Sequence, residues 1–325
     1  MGSSTRVLEP PGKLGKKERA AVPRRTASSP EERGSPDVRS LPRPGVIARL
    51  RSDRPAYAAL ILLAIIAFSA VAAPLLSPSS PHAIDPGQKL LAPSPNHPFG
   101  TDDMGRDLFV RVMQGGRVSV AVGVIAVLFA LLVGVIGGGV AGYCGGIADS
   151  LVMRFTDVML SIPVFLVVLL CSSILSPGFV FLCLLIGSVQ WMEVARVVRS
   201  VVRSTRGLEF VEAAKALGVS DTRIFLRHVL PHTSGTVLVA GTLGLAQAIV
   251  IESTLSFLGF GLQPPSMSWG SLLKDAQGYL GAAPWIALFP GLMIFATVLC
   301  CHVLGEFLES TLDPRAAAHR LVHRA

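Results

Sequence analysis

Long apolar stretches with almost no charged residues dominate the sequence after residue 55. A helix needs about 20 apolar residues to cross the roughly 30 Å hydrocarbon core of a bilayer. Six windows are long and apolar enough, and they lie at 56–76, 118–143, 158–175, 179–194, 233–251 and 284–304. Only residues 176–178 separate the third window from the fourth, which predicts a tight turn between them. The pattern therefore predicts an all-α integral membrane protein with six transmembrane helices.

Composition supports the membrane class, since 51% of the 325 residues are hydrophobic, 15% are charged and the mean hydropathy is +0.58. An ordinary soluble domain of this length is less apolar. Positive charge is concentrated in residues 1–54, where 13 Lys/Arg and 6 Asp/Glu give +7 of the total +8. This tail is rich in Pro, Gly and Ser and has no aromatic residue to stack on a base. We therefore predict a disordered cytoplasmic extension near anionic lipid, and no nucleic-acid binding.

The distribution of Lys and Arg predicts the orientation of the chain, because short loops rich in these residues stay in the cytoplasm. In a six-span topology, the N-terminal tail, the segment 196–227 with its seven basic residues and the C-terminal tail all fall on one side. Both termini are therefore predicted to be cytoplasmic. The predicted domain organisation is a tail at 1–54, a membrane domain at 55–315 and a second tail at 316–325.

Glycine is dense in the second window, where five glycines lie close together: Gly134, Gly137, Gly138, Gly139 and Gly142. Glycines in a membrane helix let a neighbouring helix approach closely. A phosphate-binding loop is the alternative interpretation, but it needs a following Gly-Lys-Ser/Thr that this window lacks. We therefore expect close helix packing here and no nucleotide bound by this chain.

A polar loop, 210–233, separates the fourth window from the fifth and is longer than a simple connection needs. Four apolar positions in it recur at helical spacing: Phe210, Ala213, Ala214 and Leu217. Gly218 is predicted to end this helix, and a second helix is predicted from Thr222 to Leu230, where Pro231 would end it. The small alanines would let such a helix-turn-helix enter a groove of another protein.

The loop resembles the cytoplasmic EAA loop of ABC importer permeases, and six residues carry the resemblance: Glu212, Ala213, Ala214, Gly218, Leu230 and Pro231. Other stretches, among them HPFGTDDMGRDLFVRVMQGGRVSV (97–120) and ESTLSFLGFGLQPPSMSWG (252–270), resemble the dipeptide, oligopeptide and nickel subgroup of these permeases. The resemblance covers about residues 56–315. It departs from the family where Trp191 is followed by Met192 and Glu193 instead of Pro and Gly.

The resemblance implies a type I ABC importer permease fold in the bacterial cytoplasmic membrane. It also implies the partners of such a subunit, which are a second homologous permease, two ATPase subunits that hold ATP and Mg, and an extracytoplasmic substrate-binding protein. The six loop residues would then contact an ATPase subunit, and this chain would not be an enzyme. The implied cargo is a dipeptide or oligopeptide, and nickel is the alternative.

Two other classes of membrane protein make different demands on the sequence. A secondary transporter driven by an ion gradient is expected to show inverted repeats and broken spans, and no internal repeat is visible here. An intramembrane enzyme is expected to carry a motif such as HExxH or GxSxG within a span, and the sequence has neither. The importer interpretation is therefore preferred.

Two acidic residues in or beside the windows are candidates for the substrate pathway, because charge inside a membrane is costly. Asp157 lies three residues after Arg154, so we prefer a structural ion pair within one helix, and a role in the pathway is the alternative. Glu252 could meet a peptide amine or hydrogen-bond a neighbouring helix, and both remain open. The acidic run GTDDMGRD (100–107) includes Arg106, which would oppose a cation, so we predict a capped amphipathic helix at the outer surface and no metal site.

Overall fold

The computed structural model describes residues 46–76, 81–175 and 178–312. Most of the predicted N-terminal tail, up to residue 45, and all of the predicted C-terminal tail, 316–325, lie outside these residues. So do Ser176 and Pro177 of the predicted tight turn.

Helices account for nearly all regular structure in the described ranges, which contain no β-strand. The α-helices are, in chain order, α1 (Val46–Ser52), α2 (Arg54–Leu76), α3 (Leu108–Cys144), α4 (Gly146–Leu160), α5 (Val164–Leu175), α6 (Phe179–Arg206), α7 (Glu209–Ala216), α8 (Asp221–Ile224), α9 (Leu230–His232), α10 (Ser234–Phe257), α11 (Trp269–Ala276) and α12 (Trp285–Leu312). The predicted all-α membrane class is confirmed.

Five helices are long and apolar enough to cross a membrane, namely α2, α3, α6, α10 and α12. Helices α4 and α5 meet at a bend of 78° and supply a sixth candidate if the pair is counted as one broken span. The predicted third span, 158–175, differs from this, because it begins inside α4 and runs across the bend at 161–163. Pro163 explains the break, since proline has no N–H to continue the helix and its ring clashes with the preceding turn.

Helix α3 lies at the centre of the packed helices and contacts α2, α6 and α10. Its buried Val122 and Ala126 share one apolar cluster with Leu182 and Ile186 of α6 and Leu255 of α10. Packing of these apolar side chains against one another holds the three helices together.

Glycines spaced four residues apart form the face of α3 that meets α6. A Cβ atom built at Gly134 would lie 2.6 Å from the Val194 side chain, and one at Gly138 would lie 2.2 Å from the Ala195 carbonyl oxygen. At Gly142 the same atom would lie 2.8 Å from the Arg199 carbonyl oxygen. The two helices therefore approach closely along about two turns, as the glycine pattern predicts.

We expect Gly138→Ala to lower the stability of the folded protein by about 1–3 kcal/mol, because the added methyl group must push the α6 backbone away. The measurement is the thermal unfolding midpoint of the purified complex in detergent. Gly137→Ala is the matched control, since it makes the same change one residue away and its Cβ would lie 3.3 Å from the Trp191 ring edge. A midpoint for Gly138→Ala at or above that of the control would contradict this packing.

Candidate functional site

The predicted loop projects from the end of α6 as a short helix, a turn and a second helical segment. Helix α7 ends at Ala216, and Gly218 follows with φ of +77°, a left-handed conformation that glycine adopts without strain. The N–H of Gly218 donates to the Lys215 carbonyl at 2.9 Å, and the N–H of Val219 donates to the Ala214 carbonyl at 3.1 Å. Gly218 therefore closes α7 as the spacing predicts.

Val211 anchors the loop to the rest of the protein. It is fully buried in a cluster with Val198 and Val202 of α6 and with Ile224 and Val229 of the second helical segment. Val211 is not among the residues predicted from the sequence. Its helical spacing of three residues from the half-buried Ala214 is the signal that identifies the inward face of α7.

The motif residues lie mainly on the outward face of α7. Glu212, Ala213 and Gly218 are exposed, and Leu217 is 84% exposed. Phe210 is 40% exposed and stacks on His232 with ring centroids 5.4 Å apart. Most of the predicted apolar stripe therefore forms an exposed apolar surface on the loop. Exposed apolar surface of this kind is typical of a binding site for another macromolecule.

The second helical segment does not end at Pro231, contrary to the sequence prediction. It runs from Asp221 to His232 with a π-helical turn at Phe225–Val229. In that turn, the N–H of Leu230 donates to the Phe225 carbonyl, five residues back. The wider turn changes the carbonyl positions that a proline ring would otherwise meet in an α-helix, so helical structure continues past Pro231.

Polar contacts attach the loop to the C-terminal end of α3. The Tyr143 hydroxyl donates to Asp221 at 2.7 Å, and Arg206 donates to the Tyr143 carbonyl at 2.6 Å. Lys215 lies 3.9 Å from Asp221 and 5.9 Å from the centre of the Tyr143 ring. Together with the apolar anchor, these contacts join the loop to two spans at once.

Asp157 pairs with Arg196 of α6 and not with Arg154, so the predicted pair within one helix is wrong. The pair joins residues 39 positions apart in the chain. A second pair of the same kind joins Asp149 of α4 to Arg199 of α6. Both contacts hold α4 against α6. The suggested place of Asp157 in the substrate pathway stays a prediction.

Glu252 lies where α3, α10 and α11 meet, and it is fully buried. Its carboxylate accepts hydrogen bonds from the hydroxyls of Ser119 at 3.0 Å and Ser256 at 2.7 Å. The Ser119 hydroxyl oxygen in turn accepts from the backbone N–H of Trp269 at 3.1 Å. The carboxylate is thus hydrogen-bonded to a neighbouring helix in this conformation, and a role in the substrate pathway stays a prediction.

The acidic run at 100–107 folds as a tight loop instead of the predicted amphipathic helix. An isolated β-bridge joins Thr101 to Asp107 and closes it. The side chain of Asp107 caps α3 by accepting from the Val110 N–H. Asp102 is 1% exposed and pairs with both Arg106 and Arg111. The carboxylates therefore accept hydrogen bonds from backbone N–H groups and from arginines. The sequence pattern alone did not distinguish such a loop from the start of a helix.

A cavity of about 190 Å³ lies between α3, α6 and α10. Its wall is mainly apolar, with three polar side chains: Gln190, Glu193 and Gln247. The two glutamines are not among the predicted pathway residues, because only charged residues in apolar windows were candidates and an amide is neutral. A polar amide near the middle of a predicted span is the signal that could have found them.

The chain matches the family described as "Binding-protein-dependent transport system inner membrane component" over residues 130–317. Residues 45–93 match "N-terminal TM domain of oligopeptide transport permease C". The first match spans the loop between α6 and α10 and all elements from the middle of α3 to α12. The second spans the first membrane helix, α2.

Curated relatives cover most of the chain. The dipeptide transport system permease protein DppC of Bacillus subtilis is 40% identical over 268 residues, which are 82% of this chain and 84% of the relative. The oligopeptide transport system permease protein OppC of Escherichia coli K12 is 40% identical over 269 residues, 82% of this chain and 89% of the relative. OppC of Haemophilus influenzae is 37% identical over 269 residues, 82% and 86% of the two chains. The resemblance identified from the motifs is confirmed, and the chain belongs to the family of binding-protein-dependent transport system inner membrane components.

Proposed function

We propose that this chain is the permease subunit of an ABC importer that carries dipeptides or oligopeptides across the bacterial cytoplasmic membrane. The observation that carries the proposal is identity of about 40% over four fifths of the chain to permeases named for dipeptide and oligopeptide transport. These names favour peptides over nickel, the alternative cargo. An ion-driven secondary transporter has no support from these relatives.

Transport is coupled to ATP through the exposed tip of the cytoplasmic loop. Two partner ATPase subunits hold ATP and Mg, and one of them receives Glu212, Ala213, Ala214 and Gly218. Leu230 and Pro231 complete the helical segment behind this contact. ATP can drive import only if its binding favours one arrangement of the spans over the other. The apolar exposure of α7 and the attachment of the loop to α3 and α6 support this role.

The remaining partners complete the transport path. A second homologous permease faces this chain, and an extracytoplasmic binding protein delivers the peptide from outside. Both termini are cytoplasmic in this arrangement. The seven basic residues between 196 and 227 support that orientation, since they place the loop on the cytoplasmic side.

Uptake by cells that lack this gene tests the proposal, with a labelled dipeptide, a longer peptide and nickel compared side by side. We expect peptide uptake to be lost and to return when the gene is supplied on a plasmid, while nickel uptake is unchanged. Loss of nickel uptake alone would assign the chain to the alternative cargo. Unchanged uptake of all three would overturn the proposal.

A further inference from the structure

The cavity between α3, α6 and α10 lies deep within the predicted bilayer. Gln190 lies 11 residues after Phe179, and Gln247 lies ten residues before Phe257. At a rise of about 1.5 Å per residue, both are roughly 15 Å below the outer ends of their helices in the predicted orientation. That depth is half of a hydrocarbon core of about 30 Å. The two amides therefore lie at the level where a substrate is midway across.

Gln190 is held in the cavity wall with an unused hydrogen-bond acceptor. The residue is 5% exposed, and its Nε2 donates to the Gly244 carbonyl at 3.4 Å. Its Oε1 is buried and has no partner among the described residues. A buried acceptor without a partner is unfavourable, and an apolar side chain would remove that cost. Because Gln190 lines the cavity, a rotation of its terminal amide, a torsion with broad minima, would present this acceptor to a molecule that enters.

Glu193 and Gln247 lie at the open side of the same cavity, where both are exposed. Glu193 is three residues after Gln190, so it lies on the same face of α6 and nearer to the cytoplasm. A carboxylate and an amide facing lipid tails would be strongly unfavourable. This side of the cavity therefore faces water or protein.

The polar groups match the parts that all peptides share. A glutamine amide presents one carbonyl acceptor and one NH₂ donor, which are the partners of a main-chain N–H and carbonyl. Two such amides can hold a peptide backbone whatever its side chains are. The Glu193 carboxylate can accept hydrogen bonds from an α-ammonium group. The apolar remainder of the wall, including Val127 and Leu131, can pack against the apolar parts of a peptide.

We propose that this cavity is one wall of a peptide-binding site within the translocation path, in which Gln190 and Gln247 hydrogen-bond the peptide main chain and Glu193 pairs with its N-terminal ammonium group. The inference rests on the proposed import of peptides. The volume of about 190 Å³ is smaller than the roughly 300–1,000 Å³ of a complete ligand site. The facing permease supplies the opposite wall.

The complete transporter, reconstituted in vesicles with its binding protein and ATP, tests the two glutamines. We expect Gln190→Leu and Gln247→Leu each to raise the dipeptide concentration needed for half-maximal uptake by about two- to tenfold, the range for one net hydrogen bond. Gln277→Leu is the matched control, because Gln277 is exposed outside the spans. Half-maximal concentrations equal to that of the control in both variants would overturn the proposal.

Thermal stability separates binding from a packing role. We expect the unfolding midpoint of Gln190→Leu to equal or exceed that of the wild type, since the substitution removes a buried acceptor that has no partner. A midpoint that falls together with uptake, or loss of the second permease from purified Gln247→Leu complexes, would assign this face to packing and overturn the proposal. If the wild-type transporter imports no peptide, the proposed function itself fails, and that result is distinct from equal uptake by wild type and variants.

Glu193→Gln tests the ammonium contact. We expect dipeptide uptake at a fixed low concentration to fall by about tenfold or more, as for a hydrogen bond to a charged group. Glu306→Gln is the matched control, since it makes the same change at an exposed position of α12. Equal uptake by these two variants would remove Glu193 from the site.

Discussion

Replacement of Gly218 by Asp is expected to abolish peptide uptake by the complete transporter while membrane insertion is unchanged. A Cβ atom at Gly218 would meet nothing within 4 Å, so the folded chain has room for the new side chain. Asp also tolerates the left-handed conformation better than most residues. In the proposed coupling role, the loss would arise at the contact with the ATPase, where a charged group would replace the smallest residue. The measurement is ATP-driven uptake in vesicles, with a fall of more than about tenfold expected.

Two variants separate the possible causes. Gly218→Asn has nearly the same shape without the charge, so we expect a smaller loss. Gly146→Asp places the same charge at another exposed glycine with positive φ and no atom within 4 Å, and we expect uptake to be retained. Persistent uptake by Gly218→Asp with the ATPase still attached would show that the loop does not couple the two proteins.

Asp102→Asn is expected to destabilise the folded protein by about 3–5 kcal/mol, the range for removing one partner from a buried ion pair. The carboxylate accepts from Arg106 Nε at 2.6 Å and from Arg111, and it also accepts from the backbone N–H groups of Met104 and Arg106 at 2.9 Å. Arg111 is 5% exposed. Without Asp102, its remaining described partner would be Asp275, at 3.3 Å. Thermal unfolding in detergent measures the loss.

Asp103→Asn is the matched control for the ion pairs of Asp102. Asp103 is the next residue, its side chain is 24% exposed and it lies 3.6 Å from Arg106. Ion pairs exposed to solvent contribute roughly 0–1 kcal/mol, so this change is expected to have little effect. Similar losses in the two variants would mean that Asp102 is not the centre of the network.

Hydropathy located the membrane helices because each one has an apolar core, but it did not give their ends. Helix α6 continues from the predicted end at 194 to Arg206, and α10 continues from 251 to Phe257. A search for apolar windows stops at the first polar group. A helix continues into water for as long as its backbone hydrogen bonds and side-chain contacts are satisfied.

The predictions that proved wrong were mainly those that depend on contacts between distant parts of the chain. Asp157 was assigned to Arg154 because local spacing offers only neighbours on one helix, whereas its partner Arg196 lies on another. The fold of the acidic run at 100–107 depends on Arg111, which reaches back into it from α3. Such partners follow from the packing of helices and cannot be found from residue spacing alone.

The exposed motif residues of α7 and the turn at Gly218 could be predicted because both follow from local sequence. The alanines and Gly218 have a fixed spacing, and the left-handed turn at Gly218 follows from residue type. The apolar anchor Val211 and the π-helical turn before Pro231 were missed, because both depend on the fit of the loop against α6. The cavity amides were missed for a different reason. A glutamine is neutral, and the sequence does not show that the Gln190 oxygen is buried without a partner.

The uninterrupted course of α6 has a mechanical consequence. Its 28 residues contain no proline and extend about 42 Å at the usual rise per residue. The loop is attached to the C-terminal end of this helix. Gln190 lies about 24 Å from that end, since it is 16 residues before Arg206. A force on the loop would therefore tilt α6 as a rigid body. The part of the cavity wall that α6 supplies would move with it, without any change in the helix itself.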